Sequence, residues 1–281
     1  MSDSLHVYPP RTREVPGEGA AGAGLNDEQR AAATHGDGPL LIVAGAGTGK
    51  TRTLVHRVAH LLERGIRPDR LLLLTFTRRA AQEMLARVER LVGSASRQVH
   101  GGTFHGTGHR LLRRFGNKAG VGSDFTILDH EDSCDLMHIA RAHLGLADKK
   151  KRFPKKETLQ QVYSRHINTD IPVATILADE YPQFEEFEPA VLRIFADYTS
   201  RKAGRNLVDY DDLLLFWGAM LDAPELGAKI AALYDHILVD EYQDTNLLQA
   251  RVLRGMCRTH SNITVVGDDA QSIYAFRGAT V

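Results

Sequence analysis

The sequence has few cysteines, no long apolar run and no excess of charge, and each absence excludes a class of protein. Its 281 residues include two cysteines, Cys134 and Cys257, which lie far apart without the spacing of metal ligands. A disulfide framework is therefore excluded, and a reducing compartment is indicated. No stretch approaches the roughly 18 apolar residues of a membrane span, and the N-terminus lacks the apolar core of a signal peptide. We expect a cytoplasmic protein with no membrane partner.

The formal net charge is zero, so overall charge gives no argument for a nucleic-acid partner. The charges are unevenly distributed, however. Eight arginines and only two acids, Glu83 and Glu89, lie between Arg78 and Arg114, and residues 149–156 carry six basic side chains. Local basic stripes can bind a phosphate backbone although the total charge is neutral. A solvated surface explains the 149–156 cluster equally well.

The length predicts one large domain or two modest ones, and a hydrophobic fraction of 43% is ordinary for a globular chain. Residues 1–24 are rich in Pro, Gly and Ala without periodicity, so we expect a disordered tail. A helix is expected to begin near Asn26, which can cap it, and Gln29 stands where it could complete a capping box.

Short apolar segments then alternate with helical patterns, as is typical of a parallel sheet covered by helices on both faces. Residues 117–201 differ, because they show amphipathic helical patterns and one weak strand candidate at 125–128. We predict an α/β domain formed by residues 25–116 and 202–281, with residues 117–201 as a mostly helical insertion. The predicted strands are 40–43, 71–76, 99–104, 237–239 and 263–266, and the predicted helices include 78–91, 105–115, 131–144, 157–168 and 188–201.

The first chemical motif is AGAGTGKT at residues 44–51, between an apolar run and a helical pattern. Strand, Gly-rich loop and helix form the setting of a phosphate-binding loop, whose backbone N–H groups hold phosphate oxygens at a helix N-terminus. Lys50 is expected to reach the β- and γ-phosphates, and the Thr51 hydroxyl to ligate Mg²⁺. The predicted nucleotide contacts in the motif are Ala44, Gly45, Ala46, Gly47, Thr48, Gly49, Lys50 and Thr51.

The second motif, ILVDEYQDTN at residues 237–246, places two acids at the end of an apolar strand. Asp240 can hold Mg²⁺, and Glu241 beside it can polarise a water for attack. The alternative for Glu241 is a role in a structural turn. A phosphate-binding loop alone arises by chance fairly often, but the two motifs together predict a nucleoside triphosphate site with the parts for hydrolysis.

With five further segments, these motifs resemble in order those of the UvrD/Rep/PcrA-like DNA helicases of superfamily 1. The resemblance covers residues 25–281 and implies a RecA-like P-loop NTPase fold that binds ATP and Mg²⁺. The chain departs from the family pattern at Arg78 and Arg79, where Asn-Lys is usual, and at Gly106, where Ser is common. The further segments are LNDEQR (25–30), TFTRRAAQEM (75–84), TFH with LLRR (103–105 and 111–114), DYDDLL (209–214) and VVGDDAQSIYAFRGA (265–279).

The resemblance also implies roles around the nucleotide. Gln29 would recognise adenine, with the capping box as the alternative. Arg52 would pack against the base, with an ordinary solvated helix residue as the alternative. Gln271 would sense the γ-phosphate and join Lys50 and Glu241 in catalysis.

For DNA, the resemblance implies that Phe76 and Phe276 stack on bases. The alternative for Phe276 is a place in the core, because Tyr274 and Phe276 alternate and alternating aromatic residues are usually part of a core. Trp217 is expected in the core. The other implied DNA contacts are Thr103, His105, Tyr274 and Arg277.

The implied activity is ATP-dependent translocation on single-stranded DNA and unwinding at duplex junctions, in repair or replication. The family's second motor domain, with its arginine fingers, would follow residue 281. The chain would then be an N-terminal half, natural or made for expression, and nearly inactive alone. Its oligomeric state is not indicated. One alternative is a non-catalytic module that binds ATP and DNA. Another, the helicase arm of a recombination nuclease, is disfavoured because such relatives show Pro-Lys-Gln where this chain has residues 269–271, DAQ.

Overall fold

The computed structural model describes residues 6–8, 22, 24–45, 47–146 and 153–268. The chain divides into two compact units. The first, here the sheet unit, comprises residues 1–107, 221–245 and 253–281, and the second, the helical unit, comprises residues 108–220 and 246–252. These bounds differ from the predicted division at residues 116 and 201. Three of the four unit boundaries fall inside helices, whereas the sequence pattern assigns each helix wholly to one domain.

A six-stranded sheet lies at the centre of the sheet unit, in the order β1-β2-β8-β7-β3-β4. All neighbouring strands are parallel except β1, which pairs antiparallel with β2 at the edge. The predicted α/β fold with a mostly parallel sheet is therefore confirmed. The strands of the sheet are β1 (His6–Tyr8), β2 (Leu40–Val43), β3 (Leu71–Thr75), β4 (His100–Thr103), β7 (His236–Val239) and β8 (Ile263–Gly267).

Strands β3 and β7 form where apolar residues run without interruption, because a central parallel strand is buried on both faces, whereas the edge strand β4 is not apolar. Every residue of β3 and β7 is buried. One face of the sheet packs against apolar side chains of two helices, including Leu54 and Val58 from one and Met84 and Val88 from the other. The helices of the sheet unit that lie wholly within it are α1 (Asp27–Ala33), α2 (Lys50–Glu63), α3 (Arg78–Val92) and α10 (Pro224–Ala231).

Strand β1 corrects the expectation that residues 1–24 are disordered throughout. His6 pairs with Val43 and Tyr8 pairs with Leu41, so this strand covers the outer edge of β2. The pairing uses backbone groups of a distant segment, and a composition rich in Pro, Gly and Ala gives no sign of it. Most of the other residues up to 24 lie outside those the structure describes.

In the part of the helical unit that the structure describes there are four whole helices, parts of three more, and a two-stranded parallel sheet. Its core includes Tyr163, Ile194, Phe195 and Tyr198. Trp217 is fully buried, as expected. The elements are β5 (Thr126–Ile127), α5 (His130–His143), α6 (Lys156–Thr169), α7 (Val173–Glu180), α8 (Glu188–Gly204) and β6 (Leu207–Val208), and the helices that cross a unit boundary are α4 (Phe104–Phe115), α9 (Tyr210–Asp222) and α11 (Leu247–Met256).

The helical unit also buries a group of charges, here the Lys202 cluster, which consists of Lys202, Asp209, Asp212 and Tyr198. The Lys202 Nζ donates to Asp209 Oδ2 at 2.6 Å and to Asp212 Oδ2 at 2.7 Å. The Tyr198 hydroxyl also donates to Asp209 Oδ2, at 2.7 Å. Asp209 and Asp212 each accept the other's backbone N–H, so the pair also caps α9. Each charged group of the cluster therefore has a hydrogen-bond partner inside it, with two carboxylates sharing one ammonium.

Among the described residues, no helix is both long and apolar enough to cross a membrane.

Candidate nucleotide site at the carboxyl edge of the sheet

The parallel strands β2, β8, β7 and β3 end at one edge of the sheet, which is where open α/β sheets bind ligands. Register places Val43 opposite Gly267, and Leu74 opposite Val239. The residues that follow these strands therefore meet at this edge, although they are up to about two hundred positions apart in sequence. Both chemical motifs begin here.

Strand β2 is followed by a loop and then by α2, which is the predicted order of strand, loop and helix. The Ala44 N–H donates to the Gly267 carbonyl at 3.0 Å, and the Thr48 hydroxyl donates to the Gly45 carbonyl at 2.7 Å. Gly47 and Gly49 have φ angles of 77° and 88°, which a residue with a Cβ rarely adopts. Ala46 lies outside the described residues. The loop leads directly into α2 at Lys50, so its N–H groups lie at a helix N-terminus.

Gln29 forms the predicted capping box and in addition contacts the loop. The Asn26 side chain accepts the Gln29 N–H at 2.8 Å, and Gln29 Oε1 accepts the Asn26 N–H at 3.1 Å. The remaining end of the amide, Nε2, donates to the Thr48 carbonyl at 2.8 Å. A Cβ at Gly49 would lie 2.8 Å from this nitrogen, so the contact requires glycine there. Arg52 is exposed, and its guanidinium lies beside Gly24.

Lys50 is buried, and its ammonium forms an ion pair with Asp268, the residue that follows β8. The distance from Nζ to Asp268 Oδ2 is 3.0 Å, and both side chains are nearly inaccessible to water. A buried ion pair contributes little net stability, because both ions lose their hydration. The ammonium is therefore placed at the loop by a partner that a phosphate could replace.

Asp240 follows β7 and is 5% exposed. Burial, together with the neighbouring Glu241, raises the pKa of Asp240 to about 6. Its Oδ1 is buried and has no hydrogen-bond partner among the residues that the structure describes. A buried carboxylate oxygen without a partner is costly unless a ligand satisfies it. Thr51, at the start of α2, lines the same cavity as Asp240.

Glu241 has a left-handed backbone, with φ at 54° and ψ at 48°. Such a conformation costs free energy in a residue with a long side chain and concentrates at functional sites. The following turn closes when the Asp244 N–H donates to the Glu241 carbonyl at 3.0 Å. The alternative role of Glu241 in a turn is thus present in the structure, alongside its place in the cavity.

A cavity of about 330 Å³ lies at this edge of the sheet, between Thr51, Asp240 and Glu241. Phe76, which is half-buried, lies in its wall. The lining residues are Thr51, Thr75, Phe76, Thr77, Ala80, Glu83, Met84, Arg87, Asp240, Glu241, Gln243 and Asp244. The structure thus brings Thr51, Asp240, Glu241 and Phe76 together.

The donors at this cavity fit Mg²⁺. The described residues contain no group of three or more His, Cys, Asp or Glu side chains able to enclose a metal ion. Mg²⁺ is usually held by one or two carboxylates with waters and substrate phosphates, and it does not need a full protein cage. Asp240 and Thr51 supply the oxygens, and the unpartnered Asp240 Oδ1 is the observation that supports a cation there.

Comparison with known proteins agrees with the order of the motifs. The family model of the UvrD/REP helicase N-terminal domain matches residues 25–281. The chain belongs to the UvrD/REP helicase family. It is 40% identical over 271 residues to the ATP-dependent DNA helicase UvrD1 of Mycobacterium tuberculosis and 35% identical over 266 residues to the ATP-dependent DNA helicase PcrA of Bacillus subtilis. Each comparison covers 92% of this chain and 34% of the relative, so the chain spans about a third of their length.

Several residues assigned by resemblance to the UvrD/REP helicases cannot be compared with the structure. Gln271, Tyr274, Phe276 and Arg277 lie outside the described residues. Thr103 ends β4, and its hydroxyl accepts the Gly106 N–H at 3.1 Å, while His105 lies half-buried in the first turn of α4. Their roles toward DNA stay predictions.

Gln243 was not among the predicted site residues, although it lies inside the second motif. Its side chain is 6% exposed, lines the cavity and contacts Glu241. Its position two residues after Glu241 was the only signal in the sequence. That spacing does not reveal that the amide also accepts the N–H of Asp268, the residue after β8.

Proposed function

We propose that this chain is the ATP-binding part of a DNA helicase that couples ATP hydrolysis to movement along single-stranded DNA and to duplex unwinding, in DNA repair. The main support is that Thr51, at the end of the phosphate-binding loop, lines one cavity with Asp240 and Glu241. The names of the relatives, ATP-dependent DNA helicases, support the choice of ATP and DNA.

In this proposal the loop and Lys50 bind the triphosphate. Backbone N–H groups of residues 44–51 contact phosphate oxygens at the start of α2. The Lys50 ammonium leaves Asp268 and turns to the β- and γ-phosphates, and the exchange of one anionic partner for another keeps the buried charge compensated. Gln29 and Arg52 contact the base.

Glu241 is the proposed base that accepts a proton from the attacking water, and Gln271 the proposed sensor of the γ-phosphate. Asp240 and Thr51 would hold Mg²⁺, which when bound offsets negative charge on the phosphates. Glu241 and Asp240 are neighbours in sequence and line the same cavity, so the base lies beside the cation site. Such positioning and charge stabilisation supply most of the catalysis in phosphoryl transfer.

For DNA, we propose contacts from Phe76, Thr103 and His105, together with Tyr274, Phe276 and Arg277. The basic stripe supports this in part. Along α3, Arg78, Arg79 and Arg90 are exposed. The two acids of the stripe form ion pairs with two of its arginines, Glu83 with Arg87 and Glu89 with Arg97. Arg78 and Arg79, which have no ion pair among the described residues, are the ones we expect at a phosphate backbone.

Lys50→Ala in the full-length protein tests the proposal. Loss of the cation that faces the phosphates should weaken Mg-ATP binding by at least about 10-fold and abolish turnover stimulated by single-stranded DNA. Calorimetry gives the affinity, and a coupled assay gives the turnover. Lys118→Ala, which removes an exposed lysine, is the control. Equal affinity in the wild-type protein and Lys50→Ala would contradict the site. A wild type that binds but never hydrolyses ATP would instead be a non-catalytic binding module.

A further inference from the structure

Gln243 joins the segment after β7, which carries Glu241, to the segment after β8, which carries Asp268. Its Nε2 donates to Glu241 Oε2 at 2.7 Å, and its Oε1 accepts the Asp268 N–H at 3.0 Å. The direction of the amide follows from chemistry, because an ionised carboxylate can only accept and a backbone N–H can only donate. Both ends of one buried side chain are thus fixed by different strands, β7 through Glu241 and β8 through Asp268.

These contacts extend to the phosphate-binding loop. The Asp268 carboxylate, whose backbone N–H contacts Gln243, also holds the Lys50 ammonium at 3.0 Å. Lys50, Asp268, Gln243 and Glu241 therefore form a continuous series of polar contacts. The series links the cation that faces the phosphates to the acid that faces the water.

Gly267 makes room for this arrangement. A Cβ at Gly267 would lie 3.1 Å from Gln243 Oε1, which is closer than an unstrained contact. The φ angle of Gly267 is not in the left-handed region. The backbone itself would therefore accept alanine, and the amide of Gln243 is what the small residue accommodates.

We propose that Gln243 is a positioning residue for ATP hydrolysis, which holds the Glu241 carboxylate toward the water and fixes it to the end of β8. The left-handed backbone of Glu241 makes this support necessary, because the side chain leaves the strand in a direction that the regular sheet does not determine. A displacement of about 1 Å at a reacting group can cost roughly 100-fold in rate. The role of Gln243 rests on the proposed function, since it requires Glu241 to act as the base.

Gln243→Glu separates the two ends of the side chain. A glutamate keeps an oxygen that accepts the Asp268 N–H, but it replaces the donor to Glu241 with a second carboxylate. We expect kcat for ATP to fall roughly 10- to 100-fold, while the dissociation constant for Mg-ADP stays within about two-fold. Gly267→Ala keeps both Gln243 and Glu241 in the sequence but crowds the Gln243 amide. It should also lower kcat, by a smaller factor.

Gln249→Glu is the matched control. Gln249 is a buried glutamine six residues further on, and its Oε1 accepts the Asn246 N–H at 3.1 Å in the cap of α11. The same exchange there keeps the accepting oxygen and changes none of the contacts of Glu241, Gln243 or Asp268 described above, so kcat should be unchanged. Urea denaturation of all variants shows whether each one is folded.

A double-mutant cycle identifies the path of the effect. If Gln243 acts through Glu241, Gln243→Glu should change the residual turnover of Glu241→Gln by less than about two-fold. Wild-type kcat in folded Gln243→Glu, or a full additional loss in the Glu241→Gln background, would overturn the role of Gln243. If Glu241→Gln itself turned over ATP like the wild type, the proposed function would fail instead.

Discussion

Each of the two units buries an aspartate whose pKa is raised to about the same value, but the two aspartates differ in their hydrogen bonds. In the helical unit, burial and the adjacent Asp209 raise the pKa of Asp212 to about 6. In the sheet unit, burial and the adjacent Glu241 raise the pKa of Asp240 to about 6. Asp212 accepts hydrogen bonds from Lys202 and from a backbone N–H. Asp240 Oδ1 has no such partner within the described residues.

Lys202 shows the same contrast with Lys50. Burial alone would lower the pKa of Lys202, but the carboxylates of Asp209 and Asp212 raise it above its ordinary value. Lys202 therefore stays in its ion pairs whether or not a ligand is present. Lys50 has one carboxylate partner among the described residues, Asp268, beside the proposed phosphate-binding loop. A shifted pKa alone thus does not separate a structural cluster from a functional one, and the completeness of the hydrogen bonding does.

The largest expected effect is on catalysis in the sheet unit. Glu241→Gln in the full-length protein should lower kcat for ATP by about 10²- to 10⁴-fold, because glutamine cannot accept the proton of the water. Mg-ATP binding should persist, since Asp240 and Lys50 are unchanged. The matched control is Glu83→Gln, which alters an acid in the wall of the same cavity. Equal losses in the two variants would show that the charge of the cavity matters and not the base.

The next effect concerns stability in the helical unit. Lys202→Met should lower the free energy of unfolding by about 3–5 kcal/mol, because Asp209 and Asp212 would remain buried without a cation. Lys156→Met breaks an exposed ion pair with Asp135 and should cost much less, because water screens that pair. Urea denaturation measures both. A loss below about 1 kcal/mol for Lys202→Met would show that water reaches the cluster.

Acid should destabilise the sheet unit through His236, which is 3% exposed at the start of β7. Burial and Arg57 lower the pKa of His236 from 6.5 to about 4, and Asp37 opposes them. Since the unfolded chain binds the proton first, stability is full above about pH 6.5 and falls between pH 6.5 and 4. The loss from this residue is about 2–3 kcal/mol. Unfolding free energies at pH 7.5 and 5 measure it, and His236→Asn should show a shallower fall.

The smallest expected effect is an increase in stability. Asp240→Asn should raise the free energy of unfolding by about 1–2 kcal/mol without Mg²⁺, because the cost of burying a charge is removed. The variant should also lose stabilisation by Mg-ADP. Thermal unfolding with and without Mg-ADP gives both values, and Glu83→Gln again serves as the control. If Asp240→Asn were less stable than the wild type without Mg²⁺, the carboxylate would have a protein partner after all.

Local patterns predicted the elements that depend on neighbouring residues. The strand at residues 40–43 and the capping box of Asn26 and Gln29 agree with the structure. Both depend on residues that are close together in the sequence. Strand β1 and Gln243 could not be predicted in the same way. The first depends on an edge more than thirty residues away, and the second on an N–H twenty-five residues away. The Lys202 cluster was missed because its charges, read along the chain, resemble a solvated helix face.

Both ends of the Gln29 amide have hydrogen-bond partners within the chain, the Asn26 N–H and the Thr48 carbonyl. A purine that takes over these contacts would exchange existing hydrogen bonds for new ones, and such an exchange adds little to affinity. A base with the wrong donors and acceptors would break the cap of α1 and the bond to the Thr48 carbonyl without replacing either. Recognition at Gln29 would therefore act as a test of base identity, with the tightness of binding set by the phosphates.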